Sequence, residues 1–211
     1  MKNIFLKTFA IIATVSLIFS FTTLPKIQSL KIGKKAPMTS HKMRDVSGLD
    51  LSLEDLAFEN GVLVVFSCNS CPFVVGNNEM EGWQGRYNDL HEICKLNKIG
   101  MVLVNSNEAK RNSADSYTDM QKHSKQEKYN SAYVMDKNSE LADAFGASTT
   151  PHVFLLDSEF KLIYKGAIDD NVKSKSSVKS NWVKDAIIST GKNEPISLSE
   201  TRNSGCSIKR L

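Results

Sequence analysis

The chain has 211 residues, 41% of them hydrophobic, which is enough for one domain with a sizeable core. Its net charge of +4 is the balance of 27 basic and 23 acidic residues spread without a dominant basic stripe, so nucleic acid is excluded as the expected partner. Two of the four cysteines stand in one C-x-x-C and the other two lie far away, which is not the spacing of a static disulfide framework.

Lys2 and Lys7 precede an apolar run from Phe9 to Phe21, interrupted by Thr14, Ser16 and Ser20 and followed by Thr22-Thr-Leu-Pro25. A charged start, a short apolar core and then polar residues with a proline predict a secretory signal over 1–25. An uncleaved N-terminal membrane anchor is the alternative, because counting on to Leu24 reaches about the length of a span. Either way the body of the chain is expected to be exported, periplasmic or otherwise extracytoplasmic, where redox cysteines meet oxidising conditions. The cluster Lys31, Lys34, Lys35, Lys42 and Arg44 reads as a solvated entry segment. Ser52, three residues before Asp55, predicts the cap of a short helix.

Val62 to Phe66 is short, β-branched and bounded by Asn60-Gly61, the pattern of a strand buried on both faces. Cys68 and Cys71 follow at once. Their spacing predicts Cys68 at a helix N-terminus and Cys71 one turn into it, close enough to bridge. Pro72 is tolerated there because first-turn N–H groups have no intrahelical partner to lose. Those N–H groups and the helix dipole would favour the Cys68 thiolate, which makes Cys68 the candidate nucleophile of thiol–disulfide exchange and Cys71 the resolving thiol. Half of a zinc site and a pair of core thiols are the competing readings, and no second C-x-x-C or histidine pair stands at zinc spacing.

Met80, Trp83, Tyr87, Leu90 and Cys94 recur at helical spacing, with Gly76, Gly82 and Gly85 predicting a kink or break near Gly76. Cys94 reads as a small buried hydrophobe. Residues 100–107 predict a second buried strand, and 108–130, polar and of alternating charge, a loop with a surface helix. A strand over 131–136, a short helix over 140–145 closed by Gly146, and strands over 152–156 and 162–168 paired antiparallel about a turn follow. A Ser/Lys-rich linker over 172–180 leads to a last helix over 182–188. Internal repeats are absent.

Gly146-Ala-Ser-Thr-Thr-Pro151-His-Val-Phe-Leu-Leu-Asp157 places Thr150-Pro151 directly before a strand, and with the C-x-x-C this arrangement resembles the thioredoxin superfamily. The resemblance implies that Pro151 is cis and lies against the cysteine pair, and that Thr150 offers its backbone to an incoming chain. Phe66-Ser-Cys-Asn-Ser-Cys-Pro72, Asn105-Ser-Asn107, Gly166-Ala-Ile-Asp-Asp170 and Gly205-Cys-Ser-Ile-Lys209 further look like a peroxiredoxin-like, AhpC/TSA-type group of redoxin proteins. The implied fold is α/β and thioredoxin-like, a central mixed sheet flanked by helices with an N-terminal hairpin extension. A redoxin domain would span 31–192, and 193–211 would be a tail carrying Cys206. The resemblance places a cysteine in that tail, where Cys206 is either a third redox thiol swinging onto the pair or a docked thiol. That group typically has His at the place of Ser70, Cys at Thr149, Asp at His152 and Trp at Arg210.

These features predict a thioredoxin-type thiol–disulfide oxidoreductase acting on protein or small-molecule thiols and disulfides, with an electron donor or acceptor protein as partner and with neither cofactor nor metal. A thiol peroxidase of antioxidant type is one alternative. Peroxiredoxins place P-x-x-x-T/S-x-x-C ahead of the peroxidatic cysteine, which would fall on Cys71, yet position 64 is Val and position 68 is Cys. A copper metallochaperone is the other, with His152 as the later histidine, although a lone histidine reads first as a satisfied side chain. The strand 62–66 offers no acid for proton transfer. Glu79, Glu81, Asp169 and Asp170 are candidates by proximity, most of them read as surface residues.

Overall fold

A computed structural model describes residues 28–211, so the signal or anchor expected over 1–25 lies outside the described residues. Among the described residues no helix is long and apolar enough to cross a membrane.

The first strands among the described residues form the hairpin β1 (Met43–Asp45) and β2 (Asp50–Leu51). Helix α1 (Leu53–Leu56) carries the expected cap, since the Asp55 N–H donates to Ser52 Oγ while the Ser52 N–H donates to the Asp55 carboxylate. Strand β3 (Val62–Ser67) follows, then α2 (Pro72–Val75), α3 (Tyr87–Leu96), β4 (Gly100–Asn105), α4 (Tyr117–Gln126), β5 (Ala132–Met135), α5 (Glu140–Phe145), β6 (Thr149–Thr150), β7 (His152–Leu156), β8 (Leu162–Gly166), α6 (Trp182–Gly191) and β9 (Cys206–Ser207).

Seven strands form one sheet in the order β2-β1-β5-β4-β3-β7-β8. β3, β4 and β5 run parallel, while β7 lies antiparallel to β3 and β8 antiparallel to β7, so the sheet is mixed. Every residue of β3 and β4 is buried, as a central strand covered on both faces requires. Alternation along β3 feeds two cores. Leu63 and Val65 face α3 and α6 with Tyr87, Leu90, Val183 and Ile187, whereas Val62, Val64 and Phe66 face α1 and α5 with Leu53, Leu141 and Phe145.

The helix after the cysteines breaks near Gly76, as its glycines predict. α2 has four residues and stops at Gly76, whose φ of 82° lies in the left-handed region. A Cβ at Gly76 would stand 2.5 Å from the Glu81 carbonyl oxygen, and one at Gly82 would stand 2.4 Å from the Val74 carbonyl oxygen. These two glycines let the chain cross itself closely, and the helical stripe resumes only at α3. Cys94 does face the core from α3, 1% exposed, and burial holds its thiol above the ordinary range.

The last twenty residues run back over the body. Around Thr201 the chain exchanges backbone hydrogen bonds with Lys165, the Ile208 side chain enters the α5-side core, and β9 pairs antiparallel with β6.

Candidate dithiol site

β3 delivers the chain to the site at Ser67, whose hydroxyl shares a hydrogen bond of 2.9 Å with the Tyr87 phenol. Cys71, not Cys68, is the N-cap of α2, and Cys68 stands in the loop ahead of the helix. The expectation of Cys68 at the helix N-terminus with Cys71 one turn into the helix is corrected accordingly: Pro72 takes N1, so the N-terminus falls at Cys71, three residues later. The two sulfurs are nonetheless brought together. The Cys71 N–H donates to Cys68 Sγ at 3.3 Å, and both side chains are buried, 1% and 4% exposed.

Thr150 closes the site from the other side. Its carbonyl oxygen accepts from the Cys71 thiol at 3.1 Å, its hydroxyl shares a hydrogen bond of 3.2 Å with Cys68 Sγ, and its bond to Pro151 is cis. Cys206 completes the group, its N–H pointing at Cys71 Sγ from 3.4 Å. Cys68, Cys71, Thr150, Pro151 and Cys206, spread over most of the sequence, therefore meet in one place.

The pair favours a single negative charge. The hydrogen bond to Cys71 and then burial hold the Cys68 thiol well above the ordinary cysteine range. The same bond, aided by the Cys206 thiol and N–H, draws Cys71 down to about 5 despite burial. The direction is therefore toward ionisation of Cys71 while the tail is docked, in contrast to the Cys68 thiolate that a helix N-terminus would have favoured. The bond from Cys71 to the Thr150 carbonyl belongs to the thiol form.

Asp115 was missed from sequence. It is fully buried and holds the C-x-x-C loop: Oδ1 accepts from the Asn69 N–H and from Asn105 Nδ2, each at 2.8 Å, and Oδ2 accepts from Asn107 Nδ2 at 3.0 Å and the Ser70 hydroxyl at 3.3 Å. Tyr133 adds a donor to Asn69 Oδ1 at 2.8 Å. Arg111 donates to the carbonyls of Asn105, Asp115 and Asp136, so the stretch read as a solvated face contributes a buried polar hub. The usable signal was the pair Asn105 and Asn107 at the end of a buried strand, amides that need an acceptor.

Asp169 is likewise not on the surface. Its carboxylate accepts from Trp83 Nε1 at 2.7 Å and lies 2.7 Å from Arg86 Nε, with both charged groups buried. Glu79, Glu81 and Asp170 are exposed as expected. His152 is buried, its Nδ1 accepts from the Ser148 N–H, and burial with the nearby Lys165 charge holds it neutral, down to about 3. Among the described residues no group of three or more His, Cys, Asp or Glu is placed to hold a metal ion.

A mixed sheet between helices, a C-x-x-C at the end of its central strand and a cis-proline segment against the two sulfurs define the thioredoxin-like class. The sequence profile of the AhpC/TSA family matches residues 32–165, and the chain belongs to that family. No curated protein matches it. Among solved structures it is similar to an uncharacterized conserved protein from Geobacillus kaustophilus, with 27% identity, a TM-score of 0.77 and coverage of 86% of this chain and 93% of that one. A hypothetical protein from Sinorhizobium meliloti 1021 gives 25% identity, a TM-score of 0.77 and coverage of 87% and 97%. A thioredoxin-like protein solved in its oxidized form shares the fold, with 15% identity, a TM-score of 0.55 and coverage of 76% and 97%.

Proposed function

We propose that this protein is a thiol–disulfide oxidoreductase acting outside the cytosol, of the redoxin group marked by the C-N-x-C-P and G-C-S-I-K motifs. The observation that carries the reading is the placement of Cys68 and Cys71 within hydrogen-bonding reach of each other and of Thr150 beside the cis-proline.

In the exchange, the Cys68 thiolate attacks one sulfur of a substrate disulfide, a mixed disulfide forms and one substrate thiolate leaves. Cys71 then attacks Cys68 Sγ, closing the Cys68–Cys71 bond and releasing the second substrate thiolate. Cys68 takes the attacking role once an incoming chain replaces the tail. Cys71 then loses both Cys206 donors, whereas Cys68 keeps the Cys71 N–H and the Thr150 hydroxyl. The proton of the Cys68–Cys71 hydrogen bond, the larger cause of the low Cys71 value, therefore moves to Cys71 and leaves the thiolate on Cys68. The steps reverse when the protein oxidises a dithiol, with protein or small-molecule thiols and disulfides as substrates and a protein electron donor or acceptor closing the cycle. Family membership favours peroxide reduction as a second reading, but Val64 and Cys68 stand where that chemistry uses proline and a hydroxyl side chain.

The test is a glutathione redox titration with alkylation and peptide mass mapping, run beside a peroxide-consumption assay. Cys68 and Cys71 are expected to interconvert as a two-electron pair with a midpoint within about −270 to −120 mV, the range of related exchange centres. A pair that stays reduced at every potential, or turnover of peroxide that survives Cys68→Ser, would replace this reading.

A further inference from the structure

We propose that the tail is the site's own substrate: Cys206 attacks Cys71 of the oxidised centre and carries the disulfide out of the buried pair to the protein surface. This rests on the dithiol reading above and names a second exchange step within the chain.

The docking of the tail is specific. β9 lies antiparallel on β6 with Cys206 opposite Thr150 and Ser207 opposite Thr149, so the tail fills the edge that an incoming peptide would use. Contacts on both sides of Cys206 hold it there. Asn203 Nδ2 donates to Thr149 Oγ1 at 2.8 Å, the Ile208 N–H donates to the Ser148 carbonyl at 3.0 Å, and the Lys209 N–H donates to Asn107 Oδ1 at 2.9 Å. Ile208 is buried, and Arg210 Nε reaches Asp143 Oδ1 at 2.6 Å. A Cβ at Gly205 would stand 2.3 Å from the Thr150 carbonyl oxygen, so the residue preceding Cys206 is one that permits this approach.

The chemistry balances without an added reagent. Starting from the Cys68–Cys71 disulfide, the Cys206 thiolate attacks Cys71 Sγ; the Cys71–Cys206 bond forms, the Cys68–Cys71 bond breaks, and Cys68 leaves as a thiolate that takes up the proton given up by Cys206. One disulfide replaces another, and no electrons are gained or lost. The leaving Cys68 sulfur has the Cys71 N–H at 3.3 Å and the Thr150 hydroxyl at 3.2 Å. In the dithiol form burial, and then the neighbouring Cys71 sulfur, push the Cys206 thiol up to about 11. The second of those causes disappears once Cys71 is in a disulfide. Cys206 is half-buried where Cys68 and Cys71 are nearly closed to solvent, so a thiol reductant reaches the tail first.

The experiment oxidises the full chain and its Cys68→Ser and Cys206→Ser variants with glutathione disulfide, maps the linked peptides, and follows re-reduction by glutathione. Wild type is expected to give both Cys68–Cys71 and Cys71–Cys206 peptides, and Cys68→Ser the Cys71–Cys206 peptide alone. Cys206→Ser is expected to give Cys68–Cys71 alone and to be re-reduced at least about tenfold more slowly, a difference in access of the attacking thiol. Wild type that forms Cys68–Cys71 with no linked Cys206, and Cys68→Ser that ends as a glutathione adduct on Cys71, overturn the tail step and leave the dithiol reading standing. Failure of Cys206→Ser to form Cys68–Cys71 at any potential overturns the dithiol reading itself, and the tail step with it.

Discussion

The backbone N–H of Asn69, between the two cysteines, donates to the carboxylate of Asp115 at 2.8 Å, two residues 46 apart in sequence. The C-x-x-C loop is thus held by a buried acid from another part of the chain and not by a long helix behind it.

Replacing Asp115 with alanine leaves the Asn69 N–H and the amides of Asn105 and Asn107 without their acceptor in a buried place. The expected loss is about 3 kcal/mol of unfolding free energy, as for buried groups that lose a charged hydrogen-bond partner. Urea unfolding of the reduced protein measures it. Asp115→Asn, which keeps an acceptor oxygen, is expected to lose less.

The Cys71 thiol, drawn down to about 5, sets a pH dependence with a definite sign. A group whose folded pKa is depressed stabilises the folded state fully above its unfolded value, near 9, and loses that contribution as pH falls through about 5. Between those limits the stability of reduced wild type relative to Cys71→Ser is expected to rise with pH. Thiolate absorbance near 240 nm is expected to report one thiolate per chain at pH 7, absent from Cys71→Ser; equal absorbance in both would show that the charge lies elsewhere.

Gly205→Ala places a methyl against the Thr150 carbonyl, since a Cβ there stands 2.3 Å from that oxygen. The backbone has to shift, at a cost of about 1–3 kcal/mol, typical of overpacking. The docked tail is expected to loosen, and iodoacetamide is then expected to label Cys68 and Cys71 faster than in wild type at equal pH. Unchanged labelling would mean that the tail does not limit access.

Asp169→Ala removes the acceptor of Trp83 Nε1 and leaves Arg86 as a buried charge without its carboxylate. A loss of about 3–5 kcal/mol is expected, the usual result of breaking one side of a buried ion pair. Chemical unfolding measures the loss, and Trp83 fluorescence tracks the local change.

What the sequence determined by itself was local. The β-branched run 62–66, the helix 140–145 ending at Gly146 with φ of 64°, the Ser52–Asp55 cap and the turn between β7 and β8 all follow from neighbours in the chain, whose backbone preferences act over a few residues. The candidate thiols were legible for the same reason, since C-x-x-C is a local spacing. Tertiary structure alone decided the rest. The break at Gly76 was legible from its glycines, but the close crossing of Gly76 and Gly82, which keeps the helical stripe from resuming before α3, was decided only in three dimensions. Asp115 and Asp169 read as surface charges until partners far away in sequence, the β4 asparagines and the Trp83–Arg86 pair, bury and satisfy them. The position of Cys206 depended on β9 meeting β6, because a short polar segment has no preference of its own for a strand and acquires one only when another edge supplies its hydrogen bonds.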